Sequence, residues 1–378
     1  NNNREEKIVK VYRGVKYRLY PNDEQVQIIE KTFECCRQLW NKTLEHKLEL
    51  YEKYKKNINI NYTEHMDECT GYDEVDEMAF VNIYYDLENS FRKYMKGDGK
   101  PKFKSWKNPR RSYRTINKNE SVMIEDGYIH LPVVGKVKAR GWFGKENNGI
   151  YSVTVKRHGS GEYFASVNYI VDRNVKRVVP RKIIGLDYKA KGLFMDSNGR
   201  IAKGRDFNKE AVKKLRREHR RLTRRMGARK GEVKSKNYIK QERKYAKCCE
   251  KVANQRDDFL HKLSRRVVNE NDAVCIEDMS MKDISKRKQK IRFAKSTYEN
   301  GYYQFTQYMA YKLDDAGKTL VKVPKYFPSS QLCSKCGTRN DITLDQRVFY
   351  CPKCHKAIDR DINAAMNIRN KGRQMLSV

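Results

Sequence analysis

The 378-residue chain has no run of eighteen apolar residues and no hydrophobic stretch of the signal-peptide type. Neither a membrane-spanning helix nor a secretory leader is therefore expected, and the expected compartment is the cytosol. Negative charge is also short: 47 acidic residues stand against 82 basic ones, a net charge of +35. A solvated surface of that charge repels itself unless a polyanion covers it, so nucleic acid is the expected partner and a membrane is not. Six of the ten cysteines, Cys35, Cys36, Cys69, Cys248, Cys249 and Cys275, show no partner spacing. They read as small buried apolar residues or inert surface thiols rather than as a disulfide framework. The length suits two or three domains with their own cores.

The other four cysteines are spaced. Cys333 and Cys336, then Cys351 and Cys354, form two Cys-x-x-Cys knuckles separated by fourteen residues. Each knuckle aims two sulfurs at one point, and two of them on facing hairpins make a closed tetrahedral site suited to one structural Zn²⁺. Paired disulfides or a redox dithiol are the alternatives, and nothing in the chain suggests an oxidising compartment. His355 adjoins the last thiol, but four thiols already complete a site.

Taken in order, residues 7–20 alternate apolar and basic side chains at the period of a strand, and Pro21-Asn22 ends it. Asn22 or Asp23 can cap a helix over about 23–56, whose Phe33/Trp40 stripe reads as helix packing; a second helix is expected over about 74–96. Residues 97–115 interleave bases with Phe103, Trp106 and Tyr113. Lys102, Lys104, Trp106, Tyr113 and Arg114 are candidates for phosphate contact and base stacking. A basic loop with its aromatics tucked into the core is the equal alternative. Short strands follow to 172, with turns at Asp126-Gly127 and Gly159-Ser160-Gly161. Together with strand 7–20 they predict a small antiparallel barrel carrying an inserted helical block. After Val179-Pro180 comes a three-strand meander over 182–204. Residues 205–266 then hold 23 Lys+Arg against 8 Asp+Glu, or +15. They read as an antiparallel helical hairpin with an apolar seam of Val212, Leu215, His219, Leu222 and Met226. Arg217, Arg221 and Arg225 are its phosphate candidates. A strand 272–278, a basic loop 286–295, a helix 298–316 and a strand 319–323 lead into the knuckles.

Three acids sit on separate elements: Asp187 on a buried strand, Glu277 at the end of another, and Asp361 at the start of a final helix. A buried carboxylate is costly unless paired or metal-bound. Glu277 and Asp278 point to opposite faces, so at most one shares a face with Asp187. Asp361 alone would read as a helix N-cap. Together, three such acids can hold two Mg²⁺ roughly 4 Å apart for in-line displacement at a phosphodiester. Their order along the chain is that of a ribonuclease H-like nuclease.

The segments GLDYKAKGLFMDSNG, CIEDMSMKDI, FPSSQLCSKCG and DRDINAAMNI, with KYRLYPNDEQ and GKPKFKSW, resemble the TnpB proteins of insertion sequences, ancestors of type V CRISPR effectors. The resemblance covers essentially the whole chain. It implies a multidomain α/β and β-barrel architecture. A wedge-type barrel (1–21 and 116–180) carries a helical recognition lobe (22–115). A RuvC-like nuclease domain (181–330 and 359–378) is interrupted by a zinc ribbon (331–358). It further implies an RNA-guided DNA endonuclease, acting as a monomer with a transposon-encoded guide RNA on double-stranded DNA beside a short flanking motif. The family's catalytic acids fall by motif on Asp187, Glu277 and Asp361. Tyr188-Lys189 departs from the Leu-Gly pair common after the first acid and leaves that acid in place. Helix 23–56 and the loop before Tyr113 are candidates for reading the flanking motif. A DNA strand transferase and a nuclease-inactive repressor are the competing readings. The first lacks a visible end-recognition domain; the second would be marked by loss of an acid.

Overall fold

The computed structural model describes residues 7–69, 71–108, 111–142, 149–189, 192–202, 209–226, 234–278, 301–343 and 345–376. The chain divides into two compact units. One is Val9–Arg173 with Arg221–Lys247; the other is Asn1–Ile8, Asn174–Arg220 and Cys248–Val378. The expected loop 286–295 lies outside the described residues.

The first unit is built on β1 (Lys7–Tyr20), β2 (Arg111–Ile116), β3 (Met123–Glu125), β4 (Tyr128–Leu131), β5 (Gly135–Arg140), β6 (Ile150–Arg157) and β7 (Tyr163–Val175). Their order across the sheet is β2-β6-β7-β1-β5-β4-β3. The barrel expected from sequence is therefore an open seven-stranded sheet, with β2 and β3 at its edges. Helices supply what closure would have supplied. The helices α1 (Asp23–Tyr54) and α2 (Glu77–Met95) contribute Ile29, Phe33, Leu44, Phe80 and Ile83 to one core with Tyr17, Val137, Val155 and Val167 of the strands. Asn22 caps α1 in a capping box with Gln25. Residues 111–116, expected to lie in the basic segment and its flank, form β2 because Tyr113 and Thr115 alternate inward with Arg114 and Ser112 outward.

The second unit has the four-stranded sheet β11-β10-β8-β9, from β8 (Ile183–Tyr188), β9 (Phe194–Asp196), β10 (Ala273–Glu277) and β11 (Thr319–Val323). β8, β10 and β11 run parallel, and β9 is antiparallel to β8. Their apolar runs are buried, as both-face coverage requires. One face packs on α5 (Tyr302–Asp315) and on Leu260, Leu263 and Val268 of the long helix α4 (Lys236–Glu270). The C-terminal helix α6 (Arg360–Met375) packs against all four strands. It lies so close that a Cβ on Gly185 would stand 2.1 Å from the Ala365 carbonyl oxygen, and one on Gly372 2.2 Å from Cys275 Sγ. Glycine at those two positions is what lets α6 settle on the sheet.

The basic region contributes α3 (Lys209–Met226) and α4. The seam predicted on α3 is shifted: Val212, Leu215 and Leu222 are half-buried, His219 and Met226 are exposed, and the buried residue is Glu218.

Candidate active site and metal centre

β8 and β10 are hydrogen-bonded in parallel register through Ile276 opposite Leu186. One residue further on, Glu277 and Asp187 stand side by side at the carboxyl ends of their strands, on the same face of the sheet. Asp278 turns away and pairs with Lys322 at 3.5 Å. The third acid arrives on α6, whose N-cap is Asp359: its side chain accepts from the amides of Asp361 and Ile362. Capping is thus done by Asp359, and the Asp361 carboxylate turns to Lys189 instead. Asp187, Glu277 and Asp361 line one cleft of about 480 Å³, together with Arg360, Lys325 and Tyr326.

The charges in this cleft are strained. Burial pushes the Asp187 carboxyl up to about 8, and the negative charges of Asp361 and Glu277 add to it. Burial alone raises Glu277. Asp361 is pushed up by burial too, but its hydrogen bond to Lys189 and the positive charges of Lys189, Arg360 and Arg347 bring it below the usual range. Lys189 Nζ lies 2.6 Å from Asp361 Oδ2, and Arg360 Nη2 3.5 Å from Oδ1. Two carboxyls that resist ionising beside one held ionised form a hard-oxygen donor set suited to a divalent cation. Sequence reasoning missed Tyr302 here. Its hydroxyl is buried with no hydrogen-bond partner among the described residues, and its ring lies 4.6 Å from that of Tyr188. Burial first, then the charges of Asp187 and Glu277, raise its pKa. An aromatic at the start of a helix carries no sign of this in sequence.

The four knuckle thiols cluster, all within 4.8 Å of one another. Cys333 Sγ is 3.6 Å from Cys354 Sγ, and Cys336 Sγ 3.5 Å from Cys351 Sγ. A tetrahedron of sulfurs around Zn²⁺ has edges of about 3.8 Å, so the cluster fits such an ion. The Thr338 hydroxyl and amide hold the Cys336 thiol below its ordinary pKa, which favours the thiolate a metal needs. His355 is turned aside: its ring is 2.9 Å from the Tyr350 hydroxyl. β12 (Val348–Tyr350) and β13 (Ala357–Asp359), an antiparallel pair, flank the second knuckle. Three asparagines of α6, unremarked in the sequence, tie the first knuckle down. Asn363 donates to the Leu332 carbonyl and accepts from the Ser334 amide; Asn367 donates to Ser329 and Leu332; Asn370 donates to Ser334.

The nucleic-acid candidates divide. Tyr113 is 2% exposed and packs edge-on against Phe33, so it is a core residue and cannot stack on a base. Trp106 is 62% exposed. Lys104 rests its ammonium 3.9 Å from the Trp40 ring, and the Lys102 carbonyl accepts from Trp40 Nε1. Arg114 pairs with Asp86, Arg217 with Glu218, and Arg225 donates to the Asn237 carbonyl. Arg221 is exposed on α3. A basic cleft not foreseen is lined by Ser160 with Lys236, Lys240, Arg243, Lys244 and Lys247, which recur along one face of α4. Its spacing is legible in the sequence at helical period.

Comparison with known proteins shows what the chain is similar to. A family model described as a probable transposase matches residues 166–288, a Cas12f1-like TNB domain residues 302–368, and a helix-turn-helix domain residues 11–56. The last range holds the later part of β1 and the single helix α1 in this structure. A Streptomyces pristinaespiralis protein, provisionally named an RNA-guided DNA endonuclease, is 28% identical over 375 residues, covering 96% of this chain and 90% of that one. A TnpB-like protein of Acanthamoeba polyphaga mimivirus is 31% identical over 146 residues, 38% of this chain and 28% of that one. The chain resembles the TnpB-like proteins. Its fold is similar to that of Cas12f1 in a complex with guide RNA and target DNA, with a TM-score of 0.58 at 16% identity over 96% of this chain and 99% of that one.

Two outcomes are expected of this site. The folded pKa of Asp187 lies above the ordinary 3.8, so its contribution to stability is full below about pH 4 and is lost as pH rises through about 8. Asp187→Asn should therefore raise Tm by several degrees in EDTA at pH 8.5 and by less at pH 5. An unchanged or lower Tm at pH 8.5 would show that the carboxyl is not under this strain. Cys351→Ser should halve or abolish the zinc bound at the thiol cluster and lower Tm, read by elemental analysis and thermal melting; full retention of that zinc would exclude the four-thiol site.

Proposed function

We propose that this chain is an RNA-guided DNA endonuclease whose catalytic residues are Asp187, Glu277 and Asp361. The observation that carries the reading is the convergence of these three carboxylates in one cleft, with two of them pushed above their ordinary pKa. Like charges so placed cost free energy unless a cation joins them. The full-length relative's name points the same way, and so does the presence of all three acids, which a nuclease-inactive repressor would not need.

The three carboxylates would hold two Mg²⁺, which when bound supply an activated water nucleophile and a counter-charge for the leaving oxygen. The protein's own contribution is placement. The parallel strands β8 and β10 set Asp187 and Glu277 at neighbouring carboxyl ends. The cap at Asp359 starts α6 so that Asp361 meets them. Lys189 and Arg360 keep Asp361 ionised and orient it. Lys325 and Arg360, both lining the cleft, give its mouth positive charge that draws in a phosphodiester. The four-thiol cluster would hold one structural Zn²⁺, and the asparagine bonds join that ribbon to the helix bearing Asp361. In this reading the acid-bearing sheet is the RuvC-like, RNase H-like domain, and the open sheet with α1 and α2 forms the wedge and recognition parts. The protein acts in the cytosol as a monomer with a transposon-encoded guide RNA on double-stranded DNA.

A guide supplies sequence by base pairing, so the protein need grip backbones and read only a short flanking motif. The basic face of α4, with Lys102, Lys104, Trp106, Arg114, Arg217, Arg221 and Arg225, serves that grip. Sequencing the RNA that co-purifies with the protein from its native locus tests the reading first. A discrete species, with Mg²⁺-dependent cleavage of matching DNA by wild type and none by Asp187→Ala at unchanged DNA binding, is the expected result. Only random RNA, removed by moderate salt, would return weight to strand transfer or plain DNA binding. The triple change Lys240→Gln, Arg243→Gln, Lys247→Gln should weaken RNA binding and flatten the log–log salt slope by about 2. An unchanged slope would take this face out of the interface.

A further inference from the structure

Among the described residues, a second group of metal-capable side chains shares no residue with the acids or the thiols: His46, Glu64 and His65. His46 is on α1; Glu64 and His65 belong to the short 3-10 helix Tyr62–His65 in the connection between α1 and α2. His46 Nδ1 is 3.0 Å from His65 Nε2 and 3.8 Å from Glu64 Oε2. In a tetrahedral site with metal–nitrogen bonds near 2.0 Å, ligand atoms stand about 3.3 Å apart, between these two distances. The side chains are 33%, 16% and 46% exposed in the order His46, His65, Glu64, so the group is open on one side.

Two of the three donors are held by something else. The other oxygen of Glu64 accepts from the Asn61 amide at 3.1 Å, in a capping box that fixes the carboxylate. His65 Nδ1 is 3.0 Å from Glu68 Oε1, and the second oxygen of Glu68 is held by Lys42 at 2.7 Å. A carboxylate on Nδ1 keeps the proton there, which leaves the Nε2 lone pair facing His46 Nδ1. Carboxylate–histidine pairs of this kind are the usual support behind a metal-bound imidazole. Two ring nitrogens 3.0 Å apart need a proton or a cation between them. A proton satisfies the two rings alone; a cation also uses Glu64.

We propose that His46 Nδ1, His65 Nε2 and Glu64 Oε2 bind a second Zn²⁺, with a solvent molecule completing the tetrahedron. Two imidazoles and one carboxylate suit a first-row divalent ion of this softness, and the open side provides the fourth position. The ion clamps the 3-10 helix to α1 and so orders the connection leading into α2.

The test uses the full-length protein. Zinc per chain is measured after exhaustive dialysis against metal-free buffer and titration with Zn²⁺ alone. Wild type should hold two equivalents and His65→Ala one. Co²⁺ loading of Cys351→Ser should still give weak visible bands without the thiolate charge-transfer absorption. Glu64→Gln keeps the capping box, since glutamine can make the same bond, yet removes a charged ligand; it should weaken Co²⁺ binding at least tenfold with the circular dichroism unchanged. One equivalent in wild type and in His65→Ala alike would overturn the proposal and leave a hydrogen-bonded histidine pair. So would Glu64→Gln binding Co²⁺ with unaltered affinity.

Discussion

The mutual repulsion of three carboxylates in one cleft is the constraint around which the acid-bearing unit is arranged. Left to solvent, Asp187, Glu277 and Asp361 would separate. They are held together because parallel strands leave no choice about where neighbouring carboxyl ends stand, and because α6 is locked on the sheet through Gly185 and Gly372. The strain is visible in the raised pKa of Asp187 and relieved only in part by Lys189 and Arg360. Sites that store such strain are usually functional, since fold stability alone would select against it.

The second constraint is on α6. One helix carries an acid in its first turn, the asparagines that tie down the first knuckle along its length, and the close contacts with β8 and β10 on its inner side. Asn363 is fully buried and Asn367 nearly so, each with its amide satisfied by knuckle carbonyls or amides. Buried amides are costly when unmatched, so this joint has essentially one arrangement. Order in the ribbon is thereby transmitted to the position of Asp361. This gives a physical reason for the four-thiol cluster to sit directly before the helix that carries Asp361.

Charge works differently in the other unit. Its core is shared between sheet and helices, which explains why a strand pattern that reads as a barrel ends as an open sheet. Alternation along a strand reports that one face is buried; it does not report whether a helix or another strand covers it. For the same reason Tyr113 was ambiguous. Its neighbours are basic and its period is that of a strand, and only its packing on Phe33 assigns it to the core.

The chain's polyanion-seeking charge, the four-thiol spacing and the order of the acid-bearing elements were all legible in the sequence alone. Each depends on residue type and local period, and neither changes with the path of the chain. Tertiary structure decided the rest. It selected Glu277 over Asp278, gave the cap to Asp359 and aimed Asp361 at Lys189, and brought Tyr302, the three asparagines and the His46/Glu64/His65 group into place. Those are contacts between residues far apart in sequence or on different faces of one element, and only the fold determines which of them meet.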